Sequence, residues 1–66
     1  MAKNLNVKSA RAKLDMSQED LAKAVGVSRQ TISSLESGEY NPTLNLCKRI
    51  CRVLHKSLDE LFSEEP

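Results

Sequence analysis

Arg29, Gln30, Ser33, Ser34 and Ser37 fall on one side of a short segment when it is wound at helical spacing. All of these side chains make hydrogen bonds, and two have defined counterparts on nucleobases: Arg donates bidentately to guanine, and Gln pairs bidentately with adenine. The serines keep the face low, so that the backbone can approach closely. A helix about 10 to 12 Å across fits a major groove about 12 Å wide. Reading base edges is the chemistry this face could do.

Cys47, Cys51 and His55 form a second set, an i, i+4, i+8 stripe of thiols and imidazole that would suit zinc. The same stretch has an apolar stripe, Cys47, Ile50, Cys51 and Leu54, which makes the thiols small core groups. His55 falls in the turn after the helix, no fourth ligand is apparent, and a disulfide would strain a regular helix. No metal and no cofactor are expected. With a single His, no Gly-rich phosphate loop, no nucleophile beside a base and no paired carboxylates in a plausible cleft, catalysis is not expected either.

Short turn signals divide the chain into five helical segments with no strand. Val7, Ala10 and Leu14 mark the inward face of a helix over roughly 5–14. Ser17 before Gln18-Glu19-Asp20 is an N-cap followed by acids that suit the positive end of a helix dipole. Leu21, Ala22 and Val25 give this second helix its buried face, and Gly26 ends it in the left-handed conformation that costs Gly little. Ser28 caps a third helix, with Ile32 and Leu35 inward and an end at Ser37-Gly38. Glu39-Tyr40-Asn41-Pro42 is a loop, Thr43 caps a fourth helix running to about Leu54, and Ser57 caps a last one containing Leu58, Leu61 and Phe62.

A chain of 66 residues is one thin-cored domain, too small for a deep pocket, and with 3 % aromatics its core must be aliphatic. The fold class is all-α: one domain over 1–66, a compact bundle of five short helices with a helix-turn-helix at about 18–37. Net charge is only +1, but residues 1–57 carry +5 and the rest −4, a basic body with an acidic tail at 63–66 that is compatible with DNA. No apolar run matches a membrane span or a signal peptide, so a cytoplasmic protein with reduced cysteines is expected.

Gln18, Leu21, Ala22, Gly26, Val27, Ile32 and Leu35 resemble the helix-turn-helix of the Cro and lambda-repressor-like (XRE-type) regulators. Ser28-Arg29-Gln30-Thr31-Ile32-Ser33 looks typical of that family's recognition helix. Asn41-Pro42-Thr43-Leu44 and Ser57-Leu58-Asp59-Glu60-Leu61-Phe62 resemble the loop and last helix of its small stand-alone members, so the likeness spans 7–62. The resemblance implies that Arg29, Gln30 and Ser34 face bases, with Ser33 beside them. It implies that Gln18 contacts a phosphate and braces the recognition helix, and that Ser28, Thr31, Ser37, Tyr40 and Asn41 meet phosphates, which set register rather than sequence. It further implies an ion pair between Arg11 and Glu36. Two positions depart from the pattern: Glu39 stands where many relatives are basic, and Lys56 where an apolar residue is commoner.

Leu46 and Val53, spaced by seven, lie off the main stripe of the fourth helix and form an apolar surplus, which either widens the core slightly or needs a partner. Together with Phe62 they predict a two-fold dimer interface that would set two recognition helices about 34 Å apart on a near-palindromic operator in double-stranded DNA. The expected activity is transcriptional repression, which needs only occupancy. The contrasting reading is a protein-interaction module, such as an antitoxin, in which the same surface holds a protein partner. A bland helical hairpin, with Arg29 and Gln30 as solvated residues, is a further alternative, as are Tyr40 and Asn41 serving only to shape the turn before Pro42.

Overall fold

Side chains that cap helix starts set out the architecture. In the computed structural model, which describes residues 4–62, five helices follow one another: α1 Leu5–Lys13, α2 Gln18–Val25, α3 Arg29–Ser37, α4 Leu44–Leu54 and α5 Leu58–Phe62. Ser17 Oγ accepts from the Asp20 N–H at 2.9 Å while the Asp20 carboxylate accepts from the Ser17 N–H at 3.0 Å, a reciprocal pair that starts α2. Ser57 and Glu60 repeat the device at α5. Ser28 and Thr43 accept from the N–H groups of Thr31 and Leu46 at the starts of α3 and α4. The backbone N–H groups of Ser17 and Ser57 hold the Asp20 and Glu60 carboxyls below their usual range. The acidic tail expected at 63–66 lies outside the described residues.

Two glycines end helices where the sequence placed them. Gly26 has φ 80° and Gly38 has φ 88°, and their N–H groups close the last turns of α2 and α3. His55 takes the same left-handed cap after α4 with φ 59°, without the freedom of a glycine. Lys56 follows in the exposed turn, donating its N–H to the Cys51 carbonyl at 3.0 Å, so a charged side chain there displaces no packing.

Val7 and Ala10 of α1, Leu21, Ala22 and Val25 of α2, Ile32 and Leu35 of α3, and Leu61 of α5 join Leu46, Ile50, Cys51 and Leu54 of α4 in one aliphatic core. Two expectations change here. Leu14, expected on the inward face of α1, is 45 % exposed: α1 stops at Lys13, Leu14 is its C-cap, and the left-handed Asp15 turns the chain so that Met16 packs on the core instead. Leu46, expected on a surplus apolar strip, is 3 % exposed within the chain's own core. Because α2 and α5 both pack on α4, its buried arc is wider than a single i, i+3, i+4 stripe and takes in Leu46 beside Cys47 and Ile50. Val53 and Phe62 are half-buried at its edge.

Both thiols are buried and free. Burial pushes the Cys47 thiol up, and burial first, then Cys47 and Glu60, does the same to Cys51. Thiol titration of the native protein is therefore expected to be slow, with both groups reacting at once on addition of denaturant. Prompt reaction in the native state would contradict this packing.

Candidate nucleic-acid interface

The site is built from the start of α2, the whole outer face of α3 and the loop that follows. Arg11 of α1 underlies it. Its Nε and Nη2 donate to the two carboxylate oxygens of Glu36 at 2.9 and 3.2 Å, and its Nη1 donates to the Met16 carbonyl at 2.7 Å. The carboxylate is nearly sealed from solvent, and the Glu36 carbonyl accepts from the Asn4 N–H at 3.0 Å. The ion pair expected from the resemblance is thus present, and it ties α1, the α1–α2 loop and the end of α3 into one unit.

Gln18 joins this unit to the outer face. Its amide nitrogen donates to Glu36 Oε1 at 3.1 Å, and its amide oxygen accepts from Arg29 Nη1 at 3.3 Å. Only one orientation of the amide serves: turned over, its NH2 would confront the guanidinium and its oxygen the carboxylate. A buried charge pair therefore orients Gln18, and Gln18 orients Arg29 at the first position of α3. Gln18 thus bridges the carboxylate of Glu36 and the guanidinium of Arg29. What the sequence did not disclose is the shared Glu36 carboxylate, because positions 11, 18 and 36 meet only in the folded chain.

The rest of the expected set divides by exposure. Arg29, Gln30 and Ser37 are exposed, while Ser33, Ser34 and Thr31 are half-buried. Gln30 and Ser34, one turn apart, approach at 3.4 Å between amide and hydroxyl, so either can yield that bond to an incoming acceptor. Ser28 and Thr31 share a hydroxyl contact of 3.0 Å at the α3 start. Ser37 donates its hydroxyl to the Ser34 carbonyl at 3.1 Å, folding back on its own helix. The N–H groups of Gly38 and Glu39 donate to carbonyls of α3. Tyr40 and Asn41 stand exposed in the loop beyond. Leu46 belongs to the core, so it contributes nothing to a surface; Val53 and Phe62 keep part of theirs.

The described residues contain no group of three His, Cys, Asp or Glu placed to hold a metal ion, and no helix long and apolar enough to cross a membrane. A capped helix, a left-handed glycine turn and a second capped helix with a polar outer face thus share one core, with Gln18 bridging Glu36 and Arg29. Residues 7–61 match the family described as Helix-turn-helix. The chain belongs to the XRE-type helix-turn-helix family. Small regulators from both archaea and bacteria are similar to it. An uncharacterized HTH-type transcriptional regulator of Archaeoglobus fulgidus is 50 % identical over 56 residues, covering 85 % of this chain and 79 % of that protein. The HTH-type regulator YgzD of Bacillus subtilis is 41 % identical over 56 residues, covering 85 % of each. The ImmF control region 10 kDa protein of Bacillus phage phi105 is 33 % identical over 59 residues, covering 89 % of this chain and 66 % of the phage protein. The first two of these relatives are named as HTH-type transcriptional regulators, a family that is generally non-enzymatic.

Proposed function

We propose that this helix-turn-helix protein is a sequence-specific repressor that lays α3 in the major groove of double-stranded DNA. The observation that carries the reading is the Glu36–Gln18–Arg29 chain of hydrogen bonds, which holds a guanidinium at the leading end of α3 before any ligand arrives. Preorganisation matters because ordering a long side chain on binding costs about 0.5 to 1.5 kcal/mol. Arg29 reads guanine, Gln30 with Ser34 reads adenine or a neighbouring edge, and Ser33 sits between them. Gln18, Ser28, Thr31, Ser37, Tyr40 and Asn41 meet phosphates on either side and set the register.

Two copies act together on a near-palindromic operator. Val53 and Phe62 are half-buried, and Leu58 between them in sequence is 37 % exposed, so the end of α4 and α5 retain apolar surface for a second copy. Repression by occupancy suits a unit of this size, since blocking a promoter requires only that the protein stay bound.

The test is binding to DNA from upstream of the protein's own gene and to an unrelated duplex, for wild type and Arg29→Ala. Wild type should prefer one upstream segment, and Arg29→Ala should lose about 1 to 3 kcal/mol on that segment while its binding to unrelated DNA changes far less. Equal affinity of both proteins for every duplex would overturn the proposal.

A further inference from the structure

The proposed reading face is short of positive charge. Arg29 is the one Lys or Arg on α3, Lys23 of α2 is engaged by Glu19 at 3.6 Å, and the following loop carries the acid Glu39. Attraction to the phosphate backbone supplies most of non-specific affinity and a large share of specific affinity. A reader with this face alone would hold DNA weakly.

The missing charge is on α4. Lys48, Arg49 and Arg52 lie on its solvent side at i, i+1 and i+4, and the helix contains no acid. All three are exposed, and among the described residues none forms a salt bridge with a carboxylate. With Asn45 they line one shallow depression on the helix surface. The stripe also adjoins the helix-turn-helix: Arg49 Nη1 lies 3.8 Å from where a Cβ on Gly26 would stand, two residues before the Ser28 cap of α3. Like charges gathered on one helix face repel one another, so an anionic surface that covers them gains the attraction and removes that repulsion.

We infer that Lys48, Arg49 and Arg52 form a second, sequence-independent contact with DNA, gripping backbone phosphates on the flank of the segment that α3 reads. This rests on the helix-turn-helix reading of the protein as a DNA binder but not on which bases it prefers. Its role is affinity and salt sensitivity: the α3 face discriminates and the α4 stripe holds. DNA is favoured over an acidic protein surface because Arg49 reaches the turn from which the recognition helix starts, which makes the stripe continuous with a face already turned to DNA.

The test compares the full chain with a triple variant, Lys48→Gln, Arg49→Gln and Arg52→Gln, on the upstream segment and on a mixed-sequence duplex across about 50 to 200 mM salt. These positions are exposed and Gln is a good helix former, so the fold is retained; circular dichroism checks this. The slope of log K against log salt should become shallower by roughly 0.9 for each phosphate that is no longer neutralised, about 2 to 3 in all, equally on both duplexes. The ratio of the two affinities should stay as in wild type. A control with Lys8→Gln and Lys13→Gln on α1 removes charge elsewhere and should leave the slope nearly unchanged. An unchanged slope in the triple variant, or an equal drop in the α1 control, overturns the inference. So does a triple variant that keeps its DNA slope but no longer binds an acidic peptide probe, which would assign the stripe to a protein partner. If wild type shows no preference between duplexes, the sequence-specific reading fails, while the slope comparison on mixed-sequence DNA still decides the stripe.

Discussion

Replacing Arg11 by Met should destabilise the domain by about 3 to 5 kcal/mol, because it strands the Glu36 carboxylate in a site almost closed to water. A single core in a chain this short rarely supplies more than about 3 to 5 kcal/mol in total, so most of the protein should be unfolded at ambient temperature. Urea titration followed by circular dichroism would read this directly. Arg11→Met combined with Glu36→Leu should recover much of the loss, since no buried charge is then left without a partner. That pattern, a damaging single and a tolerated double, separates a buried pair from an exposed one, which is typically worth about 0 to 1 kcal/mol. A single variant within about 1 kcal/mol of wild type would mean that water reaches the carboxylate. The double variant has a functional signature too. With Glu36 gone, the Gln18 amide loses its inner anchor, so Arg29 should be less well held and the preference for the upstream segment should weaken even though the fold survives.

The second large effect concerns Leu46, whose side chain the sequence assigned to a subunit contact and the fold places in the core. Leu46→Ala should destabilise the protein by about 2 to 5 kcal/mol through reduced burial and the cavity left between α4 and its neighbours. Because the effect is internal to one chain, the shift in unfolding midpoint should be the same at every protein concentration. A residue buried only in a dimer would behave otherwise: its removal would abolish the concentration dependence of the midpoint. Val53→Ala and Phe62→Ala are the variants to compare, since those side chains keep exposed surface. A concentration-dependent Leu46 effect would contradict the packing described for α4.

Local features were legible before the fold was known. Ser17, Ser28, Thr43 and Ser57 mark helix starts because a short side chain reaches N–H groups two or three residues away, an interaction that sequence neighbours settle among themselves. Gly26 and Gly38 mark helix ends for a similarly local reason, the ease with which a residue lacking Cβ turns left-handed. The outer face of α3 followed from periodicity alone, as did the inward set Leu21, Ala22, Val25, Ile32 and Leu35. The partnership of Arg11 with Glu36 was available only through likeness to a family, as no local rule links residues 25 positions apart.

Tertiary packing decided what depends on neighbours distant in sequence. Leu14 and Leu46 are both leucines near the edge of an apolar stripe, yet one is exposed and the other sealed. The difference is that α1 ends before Leu14 while α4 is covered from two directions by α2 and α5. Gln18 became a bridge between a buried charge pair and Arg29 only when α1, α2 and α3 met, and Arg49 came beside the Gly26 turn only because α4 packs across α2. Capping and periodicity act over a few residues and so can be read from the chain. Burial, charge pairing and the joining of surfaces are set by which elements meet, and that information exists only in three dimensions.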